Sequence, residues 1–336
     1  FRKNNGATII LANTIKGNGF SFTESSKFTK NMNFYPFHSG ALPENLYLKA
    51  TEEILKKINN FCKLKKIKSP LIINYNLDKK KLNFKQFNLI KVYSQELFKF
   101  VKKNKTAIVL DADLVKDAGS LEVMLNLPNQ FIEFGIAEQD MVSFGSGLTV
   151  KKYLPIFHSF SCFMSTRSQE QIFNFCSENR KGIFLGALSG LTPSGPGHSH
   201  QMIRDIPIIG SMPNMILIEM FSEKMINQFF TYQKKIKKSL FIKLNNSMLV
   251  EENFKNFQLP ILGNLLKIIF SKKKNKIIIC QGADVLNEAL KIKKEIISMK
   301  DTSLFSAVWL NNLNKKEKIN LDKKKVLVLQ SSTEFG

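Results

Sequence analysis

Apolar positions between residues 92 and 250 fall into short runs separated by stretches of helical spacing. The runs lie at 106–110, 131–136, 153–157, 182–188, 215–220 and 240–244. Between them, 139–150, 167–178, 200–210 and 222–235 carry the 3.6-residue rhythm of helices. Continuous apolar runs of this length suit strands buried on both faces. Their regular alternation with helices predicts a parallel α/β sheet wound on both sides.

The flanks are less regular. Residues 7–13 read as a strand, followed by the glycine-containing loop Lys16-Gly17-Asn18-Gly19 and a polar loop reaching Phe37-His38-Ser39-Gly40. A helix is predicted from Pro43-Glu44, with Leu46, Leu48, Ile54, Leu55 and Ile58 at helical spacing. Residues 61–91 mix Lys, Asn and aromatics around Pro70 and read as a linker between domains. Beyond 251–275, a strand at 276–280, a helix at 285–299 and strands at 303–308 and 326–330 predict a second, smaller α/β domain that looks truncated. Phe1 lies within one strand pattern and Gly336 just after another, so both ends read as cut. The lack of a visible leader therefore carries no weight.

Length and composition narrow the classes. The 336 residues suit two or three domains with real cores, and 43% are hydrophobic. No apolar run approaches the 18 or so residues of a membrane span, which argues against a membrane protein. No repeat period appears. The net charge of +23 by itself suggests a polyanionic partner. Its composition and placement point elsewhere. Arginine occurs only at Arg2, Arg167, Arg180 and Arg204, so lysine supplies 46 of the 50 positive side chains. Readers of phosphates and bases favour the arginine fork. From Thr106 to Met220, seven positive side chains face eleven carboxylates, a net −4, which leaves +27 on the rest. The best-patterned domain is the acidic one, so no nucleic-acid partner is expected. Four scattered cysteines without a CxxC pair argue against a disulfide framework or zinc knuckle and for a reducing, cytoplasmic setting.

Three segments carry candidate chemistry. In Phe131-Ile-Glu-Phe-Gly-Ile-Ala-Glu138-Gln-Asp-Met-Val, a strand gives way to a carboxylate at the start of a helix, whose Gly145 and Gly147 permit close packing. The carboxyl ends of strands form the ligand crevice of open α/β sheets. There Glu138 would be partly desolvated, with a raised pKa, and suited to exchanging a proton with a ring nitrogen. It also reads simply as a carboxylate favoured by the helix dipole. The Gly/Pro loop Gly186–Gln201 ends in His198 and His200, which read as proton shuttles or substrate hydroxyl ligands, as a metal pair, or as solvated loop histidines. Phe157-His158-Ser159-Phe160-Ser161-Cys162-Phe163 could stack an aromatic on a flat heterocycle or bury it in the core. Lys16-Gly17-Asn18-Gly19-Phe20 lacks the third glycine of a dinucleotide fingerprint and the GK[ST] of a P-loop.

In order, these segments resemble the transketolase family of thiamine diphosphate enzymes. Ala12-Asn-Thr-Ile-Lys-Gly-Asn-Gly-Phe-Ser-Phe and Phe37-His-Ser-Gly-Ala resemble the end of its diphosphate-binding domain (1–60). Phe134-Gly-Ile-Ala-Glu-Gln-Asp-Met-Val, Ser159-Phe-Ser-Cys-Phe-Met-Ser-Thr-Arg and Gly197-His-Ser-His-Gln-Met-Ile-Arg-Asp-Ile resemble its pyrimidine-binding domain (92–250). Residues 257–336 resemble its C-terminal domain. The resemblance implies that Glu138 hydrogen-bonds the cofactor's aminopyrimidine and drives proton removal from the thiazolium carbon. It implies that Phe163 packs on the pyrimidine, that Asp113-Leu114 form a cofactor-contacting turn, and that His200 contacts donor-substrate oxygens and assists proton transfer. His38 matches a histidine near the cofactor's diphosphate end, and His198 joins the substrate loop. No metal ligand is assigned here, because the Gly-Asp-Gly…Asn motif that holds Mg²⁺ does not occur in these residues.

The reaction implied is transfer of a two-carbon ketol unit between sugars or sugar phosphates, in a homodimer or with a partner subunit that completes the site. The alternatives are a deoxyxylulose-phosphate-synthase-like enzyme, a 2-oxo acid dehydrogenase beta-subunit-like enzyme, or an inactive partial module. Four departures mark the chain. Pro196 stands where Asp is common, His198 where Pro is usual, and Gln169 where Tyr is expected. Lys243 lies in the strand that often carries a phosphate-gripping Arg.

Overall fold

A computed structural model describes residues 11–24, 35–37, 42–67, 88–191, 197–245, 254, 256–272, 275–321 and 324–330. The chain divides into two compact units, Phe1–Leu82 and Asn83–Gly336.

In the first unit, helix α1 (Glu44–Leu64) follows Pro43. Its Glu53 and Lys57 hold the preceding loop: Ser21 N–H donates to Glu53 Oε2 at 2.8 Å and Lys57 Nζ to Gly19 O at 2.5 Å. The loop over 16–19 is a run of turns, and no strand forms over 11–15. The first part of the strand expected at 7–13 lies outside the described residues.

The second unit is built on six parallel strands: β1 (Ala107–Asp111), β2 (Phe131–Glu133), β3 (Leu154–Phe160), β4 (Ile183–Ala187), β5 (Met215–Glu219) and β6 (Ser239–Leu244). Their order is β2-β1-β3-β4-β6-β5, and all five pairings are parallel. This is the doubly wound sheet expected from the sequence. Strand side chains alternate between faces, and the core divides accordingly. Val109, Ile156, Leu185, Ile218 and Ile242 pack with α2 (Leu89–Lys103) and α8 (Glu223–Tyr232). Leu110, Phe157, Phe184, Leu217 and Phe241 pack with α4 (Glu138–Val150), α5 (Ser161–Thr166), α6 (Gln169–Ser177) and α7 (Asp205–Gly210). On this second face Phe157 stacks on Phe184 at 4.4 Å, with Phe175 edge-on to both. Each such fully buried ring contributes about 1.5–3 kcal/mol.

Several elements differ from the sequence pattern, each for a local reason. The expected helix at 167–178 forms as α6, and a further short helix that the pattern missed, α5, precedes it, with the chain turning between the two at Arg167 and Ser168. The expected helix at 200–210 shortens to α7, because residues 200–202 turn back to pair with the chain at Gly190. Helix α2 starts at Leu89, capped by the Asn88 side chain accepting from Lys91 N–H at 3.0 Å. Of the two glycines read as close-packing, only Gly145 is one: a Cβ there would lie 2.3 Å from the Phe157 ring, whereas Gly147 faces open space.

The smaller sheet has the order β10-β8-β9-β7. Strands β8 (Lys276–Gln281), β9 (Thr302–Ser306) and β10 (Lys325–Gln330) are parallel, and β7 (Leu266–Ile269) is an antiparallel edge that the sequence pattern missed. Residues 308–311 run along β5, with Glu219 N–H donating to Val308 O and Leu310 N–H to Leu217 O. They cover the backbone groups that an exposed edge strand would leave open.

His158 shows how fully this core excludes water. It lies inside β3, not just after it, on the α2 side, and its Nε2 is 3.0 Å from Tyr93 Oη. Burial pushes its imidazole down to about 4 from an ordinary 6.5. Below pH 6.5 the unfolded chain takes up a proton that the folded chain refuses. Stability is therefore lost as pH falls from 6.5 towards 4, at about 1.4 kcal/mol per pH unit. His158→Gln removes this titration, so urea midpoints compared at pH 7 and pH 5 should fall less in the variant than in the wild type.

Candidate functional site

The carboxyl ends of β1, β2, β3 and β4 converge in the parallel sheet, and the turns leaving them bring the candidate residues together. At the end of β1, Asp111 is fully buried and organises the next turn. Its Oδ1 accepts from Leu114 N–H at 2.7 Å and its Oδ2 from Ser120 Oγ–H at 2.5 Å. Asp113 takes the left-handed conformation, φ 61°, which aspartate tolerates better than most side chains. Its N–H donates to Glu133 Oε1 at 2.8 Å, and the same oxygen accepts from Gly135 N–H at 2.8 Å. One carboxylate from β2 thus ties the Asp113-Leu114 turn to the segment that leads into Glu138. Burial raises the Glu133 carboxyl above its ordinary value.

Glu138 opens α4 and is 3% exposed. Its Oε1 accepts from Arg167 Nη1 at 2.9 Å, and the Ser159 hydroxyl reaches the same oxygen at 3.5 Å. The free N–H groups of the helix N-terminus add a favourable field. Arg167 ends α5 four residues after Phe163, and that spacing sets both on one helix face. Its guanidinium carbon lies 3.8 Å from the centre of the Phe163 ring.

His200 closes the cluster. Its ring meets Phe163 edge-on at 5.1 Å between centroids and Phe160 at 5.7 Å. The loop is held by the Gly190–Met202 pair of backbone bonds, 2.8 and 2.9 Å, and by Gln201 Nε2 donating to Leu191 O at 2.9 Å. Ser199 Oγ is 3.0 Å from His200 Nδ1.

The structure therefore brings Glu138, Phe163 and His200 into one cluster and builds the Asp113-Leu114 turn beside the approach to Glu138. His198 is exposed on the same loop. His38 and Pro196 lie outside the described residues. Among the described residues, no group of three or more His, Cys, Asp or Glu side chains could hold a metal ion.

Sequence reasoning missed Arg167 as a site residue, although its four-residue spacing from Phe163 was readable. It also left open whether Lys243 substitutes for a phosphate-gripping arginine; the structure pairs it with a buried carboxylate. Lys243 is 5% exposed, with Nζ 2.8 Å from Asp205 Oδ1. The Ser161 hydroxyl donates to Asp205 Oδ2 at 3.0 Å. Burial works against the ammonium, but Asp205 and Glu219 outweigh it and hold Lys243 above its ordinary value. It is a buried cation, held between carboxylates of α7 and β5.

The strand ends of this open parallel sheet carry a buried acid, an aromatic face and a loop histidine, at the crevice where open α/β sheets bind their ligands. Comparison with known proteins gives the family. Residues 85–242 match the model of the transketolase pyrimidine binding domain, and this stretch of the chain belongs to that family. A protein described as a transketolase C-terminal section, from Methanocaldococcus jannaschii, is 34% identical over 129 residues, which is 38% of this chain and 41% of that protein. The 1-deoxy-D-xylulose-5-phosphate synthase of Natranaerobius thermophilus is 27% identical over 128 residues, 38% of this chain and 20% of the synthase. A split-gene transketolase solved as an inactive beta4 tetramer shares the fold with a TM-score of 0.61 at 21% identity, covering 72% of this chain and 79% of that one. The match thus spans about two fifths of the first of these curated relatives and one fifth of the second. No helix among the described residues is long and apolar enough to cross a membrane.

Proposed function

We propose that this chain supplies the pyrimidine-binding half of a thiamine diphosphate enzyme that moves a two-carbon ketol unit from a ketose to an aldose. The observation that carries this reading is the juxtaposition of Glu138, Phe163 and His200 at the strand ends. An aminopyrimidine ring needs an apolar face to stack on and a carboxylate at its edge, and Phe163 with Glu138 offers both. The fit has an internal witness: a planar, N–H-bearing group, the Arg167 guanidinium, already lies on that ring and bonds that carboxylate. When bound, the cofactor supplies the electron sink for cleaving a bond beside a carbonyl.

The chain's own residues do the rest. Glu138 exchanges a proton with the ring nitrogen at its edge. Phe163 fixes the ring plane. His200 holds a proton for the oxygens of the ketose donor, a kind of help worth about 10²–10⁴ in rate. The Asp113-Leu114 turn borders the ring and His198 belongs to the substrate loop, while His38, outside the described residues, is assigned to the cofactor's diphosphate end by the family resemblance alone. The reading assigns the Mg²⁺ ligands to an N-terminal part of the enzyme that carries the Gly-Asp-Gly…Asn motif and takes no step through the metal.

A homodimer or partner subunit completes the site in this reading, supported by the partial coverage of the relatives and by the split-gene beta4 assembly, described as inactive. The domain limits proposed are 1–60 for the end of a diphosphate-binding domain, 61–91 for a linker, 92–250 for the pyrimidine-binding domain and 257–336 for the C-terminal domain. A cytoplasmic location is supported by four buried cysteines that remain thiols. The synthase relative favours a second reading, in which pyruvate is the donor.

Donor chemistry separates the two. With the completed enzyme, ketose plus aldose should give a new ketose without gas release. Pyruvate consumption with stoichiometric carbon dioxide would establish the synthase-like reading instead.

A further inference from the structure

We propose that Arg167 is a built-in placeholder for the cofactor ring: its guanidinium occupies the Phe163 face and the Glu138 carboxylate until an aminopyrimidine displaces it. The inference rests on the functional reading above and deepens it.

Four observations support a swap. First, the two contacts that Arg167 makes, 2.9 Å from Nη1 to Glu138 Oε1 and 3.8 Å from its central carbon to the Phe163 centroid, are those a stacked, edge-bonded amine heterocycle would make. A guanidinium is flat, delocalised and rich in N–H donors, so it imitates the amidine edge of an aminopyrimidine. Second, the pair is unequal: Glu138 is 3% exposed and Arg167 43%. The carboxylate cannot reach water, whereas the guanidinium can rotate out and be rehydrated. Third, Arg167 caps the C-terminus of α5 with its N–H on Phe163 O at 2.9 Å, and rotating its side chain away leaves that backbone bond in place. Fourth, His200 meets the same phenyl ring edge-on at 5.1 Å, so whatever lies on Phe163 lies beside the loop histidine.

Leaving Glu138 buried and unpaired is unfavourable. The placeholder avoids that in the cofactor-free chain and keeps the phenyl face from water. Binding is then an exchange of one planar cation for one planar heterocycle. An occluded site weakens apparent affinity by the fraction of time it is open.

The probe is 4-amino-5-hydroxymethyl-2-methylpyrimidine, the ring half of thiamine, which needs no diphosphate site. Its binding to the 336-residue chain is measured by ligand-observed NMR, with melting temperatures recorded alongside. Arg167→Ala should tighten binding by roughly three- to tenfold, as expected if the guanidinium holds the site for most of the time. Arg167→Lys keeps the ion pair but cannot stack, and should fall between. A merely structural arginine would leave affinity unchanged or weaken it. Equal or weaker binding by Arg167→Ala, or no binding by either protein, would overturn the proposal. Glu138→Gln serves as the separate control. It should bind more weakly than the wild type, and unchanged binding would mean that the ring does not sit here, which removes the functional reading itself.

Discussion

Glu138→Gln in the completed enzyme should lower ketol transfer by roughly 10²–10⁴, the usual contribution of one positioned proton-exchanging group. Glutamine keeps the length and hydrogen-bonding shape of glutamate but cannot carry a proton to or from a ring nitrogen. The fold should hardly notice. Arg167, the partner left behind, is 43% exposed and can turn to solvent, and the lost helix-terminal charge is worth about 1 kcal/mol or less. Circular dichroism and melting temperature should therefore stay close to wild type while turnover collapses. Undiminished turnover would remove Glu138 from the chemistry.

The second large effect is on stability. Lys243→Met preserves most of the side-chain volume but removes the cation paired with Asp205, which is fully buried, and placed beside Glu219, its register partner on β5. Breaking a buried pair by removing one member costs about 3–5 kcal/mol, because the other charge stays behind. In a unit of this size each kcal/mol lowers the melting temperature by roughly 2–4 °C. The pH dependence identifies the cause. Protonating the stranded carboxylates relieves the penalty, so the gap between wild type and variant should narrow as pH falls. A gap that is the same at pH 5 and pH 8 would indicate lost packing instead. The pair also anchors α7, which follows the His200 loop, so the loop should loosen in the same variant.

Much of this arrangement was legible in the sequence, and the reasons are specific. Strands such as 182–188 and 215–220 are apolar at nearly every position, Glu219 excepted, because helices cover both faces, so their pattern is unmistakable. Glu138 and the histidine loop stood out through their resemblance to the family's motifs, since by spacing alone a helix-terminal carboxylate or solvated loop histidines read as well. The Arg167–Glu138–Phe163 contact did not stand out, since it joins residues 29 positions apart and depends on how α5 leaves β3. The same holds for Lys243 and Asp205, 38 positions apart. A lysine in a strand gives no sign of whether it faces a phosphate or a buried carboxylate. Strand β7 was missed because it is short and half-exposed at the sheet edge, where neither burial nor alternation leaves a clear mark.

The central claim is that Glu138, on its phenylalanine-lined shelf, drives proton loss from the cofactor's thiazolium carbon. Deuterium exchange at that carbon, followed by quenched-flow NMR on thiamine diphosphate bound to the completed enzyme, tests it without any sugar substrate. Wild type should exchange at least about a hundredfold faster than Glu138→Gln. Equal exchange rates in the two proteins would contradict the account.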